Sequence, residues 1–293
     1  MSFDSPFVHR FKAMTVSCEV QLYHSEKAAD VAALIESNTL RLEKKFNFYD
    51  CHSWLNRQVN RRQSPSVALD DESYAVFEVL KRLVDGTKGV FDPTVGTLKS
   101  MMESTPQWDR TTAYESAKPF MGVDAWSLSD KTLSIPHAET QFDLGGVIKE
   151  FAVDQAVMLA EKFGVSSALV NFGGDIRALG AKPDGSPFNV AVLNPKNKHE
   201  PFFSVPLANA ALTTSAHYER SFQFGDEESS HILSQRGTHS QVLSVSVLAP
   251  TTLEAGALST ALTLEPTLPV PEQVGVVFID DQLAIHQDTE FVA

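Results

Sequence analysis

From Val16 to Leu22 the chain alternates. Val16, Cys18, Val20 and Leu22 are apolar and their neighbours mostly polar, the two-residue period of a strand with one buried face. The period then lengthens. Ala28, Val31, Leu34, Ile35, Leu42 and Phe46 mark one stripe of a helix that Ser25 is placed to cap. Asp70 and Asp71 open a second helix, with Tyr74, Phe77, Leu80 and Leu83 inward and Gly86 just past its end. A third helical pattern runs over 147–163 through Ile148, Phe151, Leu159 and Phe163, and stops at Gly164. Short apolar runs follow, SSALVNF, DIRALG, FNVAVLN and FFSVPL, divided by Gly-Gly and Pro-Asp-Gly turn signals. Leu243, Val245 and Val247 alternate with serines in another strand. A helix of small residues spans about Leu253 to Leu264, and GVVFID with LAIH reads as a closing hairpin around Asp280 and Asp281. Strands grouped in the second half and joined by tight turns predict an α+β fold with mainly antiparallel sheets. No repeat, low-complexity tract or linker divides the chain, so 1–293 reads as a single domain.

Composition narrows the function. With 43% hydrophobic and 21% charged residues in 293, the chain is an ordinary globular protein. Its net charge of −13 disfavours nucleic acid and anionic membrane as partners, because both need Lys and Arg to neutralise phosphate. An anionic ligand would need a local cationic feature: a lysine, a helix N-terminus or a metal. Cys18 and Cys51 make neither a C-x-x-C motif nor a zinc spacing. No apolar stretch approaches ~18 residues, so no membrane insertion is expected. The opening MSFDSPFVHRFKAM lacks a basic start followed by an apolar run, which predicts a cytoplasmic protein.

Candidate chemistry lies where Gly, Asp and Thr gather at element junctions. In Gly89-Val-Phe-Asp-Pro-Thr-Val-Gly96, Asp92 and Pro93 suit a turn and a new helix start, and a capping role for Asp92 is the plain alternative to a ligand contact. In Phe142-Asp-Leu-Gly-Gly-Val-Ile-Lys-Glu-Phe-Ala152, two glycines enter a helix whose free N–H groups attract phosphate. Lys149 is badly placed for the dipole of that helix, which makes sense if it faces an anion. Val170-Asn-Phe-Gly-Gly-Asp-Ile-Arg177 reads first as a Gly-rich hairpin. Thr213-Thr-Ser-Ala-His-Tyr-Glu-Arg220 leads to Ser230-His-Ile-Leu233, but His217, Glu219, His231 and His239 match no zinc-ligand spacing. Glu254-Ala-Gly-Ala-Leu-Ser-Thr-Ala261 has the small residues of a closely packed helix.

Together these five collinear segments resemble the FAD:protein FMN transferase family, also called the ApbE family, over about residues 11–264. The resemblance implies a T-fold-like, two-lobed α+β architecture that holds FAD extended between its lobes. It implies transfer of FMN from FAD to a threonine or serine hydroxyl of an acceptor protein, with release of AMP and assistance by Mg²⁺. By motif position, Met14, Tyr49, Phe91, Asp92, Asp143, Lys149 and Leu233 would contact FAD. His231 would lie near the reacting phosphates and, with Lys149, carry the catalysis. The Gly146 carbonyl and Thr260 would hold Mg²⁺ together with an aspartate.

The pattern breaks at that aspartate. The family's A-D-A-x-x-T reads Ala255-Gly-Ala-Leu-Ser-Thr260, so Gly256 stands where the carboxylate is expected. The family's glycine after the lysine is Glu150, its Asp-Pro after S-H-I-x is Ser234-Gln235, and its A-M-G-T is Ala13-Met-Thr-Val16. The competing reading is therefore a catalytically impaired FAD-binding paralogue with a regulatory role, and Glu254 is the first substitute for the missing ligand. A metal-dependent hydrolase using His217 and His231 is the more distant alternative.

Overall fold

The computed structural model describes residues 5–23, 25–216, 221–224, 227–230 and 242–287. The chain divides into two compact units, one formed by Leu42–Ile148 and the other by Met1–Arg41 with Lys149–Ala293.

The unit formed by the chain ends is built on an eight-stranded sheet. Its strand order is β1 (Phe7–Ala13), β2 (Val16–Leu22), β6 (Ala168–Phe172), β7 (Asp175–Leu179), β10 (Ala211–Ala216), β13 (Val242–Ala249), β14 (Gly275–Asp280) and β15 (Ile285–Gln287). Every neighbouring pair is antiparallel, as the tight turns in the sequence require. One face packs Ile176, Leu212, Val277 and Ile279 against a hairpin of β8 (Phe188–Asn194) and β9 (Asn197–Leu207). Alternate residues serve α6 (Thr252–Leu264), where Val245, Val247 and Val276 meet Ala255 and Leu262. A short hairpin, β11 (Ser221–Phe224) with β12 (Glu227–Ser230), stands apart from this sheet. Helix α5 (Ile148–Lys162) is tied to β7 by two ion pairs, Lys149 with Asp175 and Arg177 with Asp154.

Two two-residue hairpin turns of the eight-stranded sheet use the left-handed backbone. Gly173 and Gly174 join β6 to β7 at φ +62° and +98°, the mirror-image turn whose twist suits paired strands. Met14 and Thr15 make the same turn between β1 and β2 at φ +51° and +65°, without a glycine.

The Leu42–Ile148 unit packs α2 (Asp71–Gly86), α3 (Gly96–Ser104) and α4 (Arg110–Ala117) with a small sheet ordered β3 (Ser66–Ala68), β5 (Thr132–Ser134), β4 (Ser127–Ser129). Phe77, Trp126 and Phe142 stack edge to face at its centre, with centroids 5.3–6.1 Å apart. Helix α1 (Ala28–Phe46) contributes to both units.

Four helical assignments shift. Leu34 is 40% exposed, while Thr39 takes a buried place by donating its hydroxyl to the Ile35 carbonyl. In α2 the buried row is Ser73, Val76, Phe77, Leu80 and Val84, so Tyr74 and Leu83 flank the core stripe. Gly86 is the last residue of α2, not the first beyond it, and Phe163 is 45% exposed. The FFSVPL run is the last six residues of β9, which is eleven residues long. The strand β1, with its half-polar FVHRFKA, and the short elements β3, β4, β5, α3 and α4 have no counterpart in the periodicity.

Candidate active site

In the Leu42–Ile148 unit, one set of backbone and side-chain contacts gathers five of the expected residues. Asp92 caps the single helical turn Pro93–Val95, accepting from the Thr94 N–H at 2.9 Å and the Thr94 hydroxyl at 2.5 Å. The Pro93 carbonyl then accepts the Asp143 N–H at 2.8 Å. The tight approach explains Gly96: a Cβ there would lie 2.8 Å from the Gln141 carbonyl oxygen and 2.9 Å from the Asp143 nitrogen. Asp143 accepts the Gly145 N–H at 2.8 Å and the Lys99 ammonium at 2.5 Å. The buried Phe91 ring faces Gly146, whose Cβ, if present, would be 3.7 Å from it.

Lys99 joins this group to the exposed Tyr49. Burial pulls the Lys99 ammonium down, but the charge and hydrogen bond of Asp143, with help from the Tyr49 phenol, hold it above the ordinary lysine range. No sequence motif singles out Lys99. A buried asparagine ladder sets the frame. Asn60 both donates to the Phe142 carbonyl (3.0 Å) and accepts its N–H (2.8 Å), and donates to Asn56 (2.9 Å). Asn56 donates to the carbonyls of Phe48 (2.5 Å) and Asp50 (2.8 Å), on either side of Tyr49. Both asparagines sit on a π-helical turn, Leu55–Asn60, a departure from α geometry that recurs at functional sites.

In the other unit a second group surrounds Lys149. The lysine is buried, and the anion it faces in the protein is Asp175, with Glu150 Oε1 at 3.9 Å. Asp154, one turn further along α5, accepts the N–H groups of Thr252 and Leu253 at 3.0 Å each and pairs with Arg177 at 2.6 Å. Its carboxylate thus caps α6 from outside and fixes that helix against α5. On α6 lie Gly256 and Thr260. The Thr260 hydroxyl is 3.4 Å from the Ser215 hydroxyl, which is 2.8 Å from that of Ser259. Asp175 lies in the Val170–Arg177 segment, directly after its Gly-Gly turn, and Asp154 lies two residues beyond the Phe142–Ala152 segment; neither position carries a role in the sequence reading. Met14 lies in the β1–β2 turn, beside which Val16 crowds Gly173.

His231 and Leu233 lie outside the described residues, as do His217, Glu219 and His239. Glu254 opens the first turn of α6, two positions from Gly256 and so on a different face from the Gly256–Thr260 row. Among the described residues no three His, Cys, Asp or Glu side chains converge to hold a metal, and no helix is long and apolar enough to cross a membrane.

A family model described as the ApbE family matches residues 14–270. The chain belongs to the ApbE family. A relative named FAD:protein FMN transferase from Treponema pallidum is 26% identical over 272 residues, spanning 83% of this chain and 74% of its own. A relative of the same name from Haemophilus influenzae is 26% identical over 243 residues, spanning 78% of this chain and 70% of its own. The crystal structure of the ApbE protein from Thermotoga maritima matches this ApbE-family chain with a TM-score of 0.85 at 25% identity, over 98% of both. The flavin transferase ApbE of Vibrio cholerae has the same fold, with a TM-score of 0.80 at 21% identity over 97% of this chain and 96% of its own. The α+β fold with mainly antiparallel sheets expected from the sequence is therefore the observed one.

Proposed function

We propose that this ApbE-family chain is an FAD:protein FMN transferase that moves FMN from FAD to a threonine or serine hydroxyl of an acceptor protein. The observation that carries the reading is the gathering of Tyr49, Phe91, Asp92, Asp143 and Gly146, scattered in sequence, into one connected set. In the reaction the acceptor oxygen bonds to the FMN phosphorus, the bond to the bridging oxygen breaks, AMP leaves, and the hydroxyl proton is lost. Such displacement needs neutralisation of developing charge more than covalent help from the protein.

The chain's own residues supply much of this. Asp92, Asp143 and Lys99 form a rigid polar edge for the flavin-bearing part of the ligand. The glycines at 145 and 146 leave the backbone open to close approach. We assign Lys149, buried beside Asp175, to the pyrophosphate, and His231, by motif position, to the reacting phosphates. The oxygen donors Thr260 and Gly146 suit a hard cation, and Mg²⁺ when bound would further neutralise the phosphate oxygens.

The FAD-binding paralogue remains the second reading because Gly256 removes a carboxylate. Incubation with FAD, Mg²⁺ and a flavin-acceptor domain, followed by intact-mass spectrometry, separates the two. Transfer predicts an acceptor heavier by one FMN and an equal amount of AMP; an unmodified acceptor with FAD still bound is the paralogue's result.

A further inference from the structure

Two departures from the family pattern, Glu150 and Gly256, lie far apart in sequence and touch in the fold. A Cβ built on Gly256 would fall 2.5 Å from Glu150 Cγ, 3.1 Å from its Cδ and 3.2 Å from its Oε1. No side chain fits there. Glu150 runs through the volume that a residue at 256 would fill, and the glycine is what admits it. The Cγ is nearest that point and the carboxylate follows just beyond it, so the Glu150 carboxylate lies beside the space an aspartate at 256 would occupy.

We propose that the carboxylate has changed helices: Glu150 on α5 replaces the one missing at Gly256 on α6 and, with Thr260, forms the divalent-cation site. The inference rests on the transferase reading and assigns its metal ligand. Gly256 and Thr260 occupy one face of α6 a turn apart, so a carboxylate lying over Gly256 is a helix-turn neighbour of the Thr260 hydroxyl. The Glu150 side chain is only 8% exposed, and its Oε1 lies 3.9 Å from the Lys149 ammonium, which also pairs with Asp175. The neighbouring donors, the hydroxyls of Ser215, Ser259 and Thr260, are hard oxygens, which select Mg²⁺ or Mn²⁺ over zinc.

The test is calorimetric titration of MgCl₂ into the FAD-loaded protein, with thermal melts beside it. Wild type is expected to bind Mg²⁺, and Glu150→Gln, which keeps the shape, to bind it at least tenfold more weakly with its melting temperature nearly unchanged. Gly256→Asp alone should melt lower, since its side chain meets Glu150 and adds a like charge. The double variant Glu150→Gly, Gly256→Asp should regain both stability and Mg²⁺ affinity. Undiminished Mg²⁺ binding by Glu150→Gln, or a Gly256→Asp protein that melts like wild type and binds Mg²⁺ more tightly, would overturn the exchange. So would a wild type that binds no Mg²⁺. FMN transfer to the acceptor is scored separately, so an active wild type with unaltered Glu150→Gln binding sinks this inference and leaves the transferase reading standing.

Discussion

At the residue scale, the Lys99–Asp143 pair is a costly contact to disturb. The side chains are 17% and 7% exposed, and removing one partner leaves the other charge buried. Asp143→Asn keeps an acceptor for the Gly145 N–H but strands the Lys99 ammonium. It should cost about 3 kcal/mol in thermal or urea unfolding and weaken FAD binding. A stable Asp143→Asn protein with unchanged FAD affinity would place both residues outside the ligand's reach. Lys99 itself was not legible in sequence, because a lysine three residues into a helix carries no periodic or motif signal. The cap expected of Asp92 is the hydrogen bond it accepts from Thr94.

At the element scale, strand alternation holds in β2 and fails in β13, where Ser244 and Ser246 are buried along with Val245 and Val247. Cys18, Val20 and Leu22 are all buried, since a period of two leaves a side chain no intermediate direction. Helical faces were read less well. In α2 the buried row begins at Ser73, a small polar residue that gives no hydrophobic signal, so periodicity alone puts Tyr74 and Leu83 in the core. Asp70 accepts the Ser73 N–H at the start of that helix, as the opening acidic pair suggested. Burial alone would raise its carboxyl, but the Lys45 ammonium and the Ser73 N–H outweigh that and hold it down to about 2. A depressed carboxyl stabilises the fold above its ordinary value and loses that contribution as pH falls toward about 2. Wild type should therefore be more stable than Asp70→Asn at neutral pH, by ~1 kcal/mol because the group is half exposed and screened by solvent. The difference should vanish in melts near the bottom of that window. The β1–β2 turn offers a second check. Thr15 holds φ +65° at the position where the family has glycine, a conformation that a β-branched residue adopts only under strain. Thr15→Gly should stabilise the protein by about 0.5–1 kcal/mol, the relief of strain being partly offset by unfolded-state entropy. A lower melting temperature would mean that the threonine makes a contact worth more than its strain.

At the scale of the whole molecule, five short motifs carried the family and the strand-rich half carried the fold class. Neither could disclose that Glu150 and Gly256 touch, because side chains on two helices meet only through the tertiary packing that Asp154 enforces at the start of α6. The motif comparison set the two substitutions down as separate losses; the fold makes them one exchange. With contacts expected for both ends of the dinucleotide, the protein should bind FAD more tightly than FMN in calorimetric titration, and equal affinities would argue against a pocket of the family's kind. The central claim is that flavin transfer survives the change at Gly256 through a rebuilt metal site. Its most direct test is the initial rate of acceptor flavinylation by wild-type protein as a function of Mg²⁺ concentration, at saturating FAD. The rate should be negligible with chelator and climb steeply to saturation as Mg²⁺ is added. A rate that stays at the chelator level at every Mg²⁺ concentration, or one that is high and independent of the metal, would contradict it.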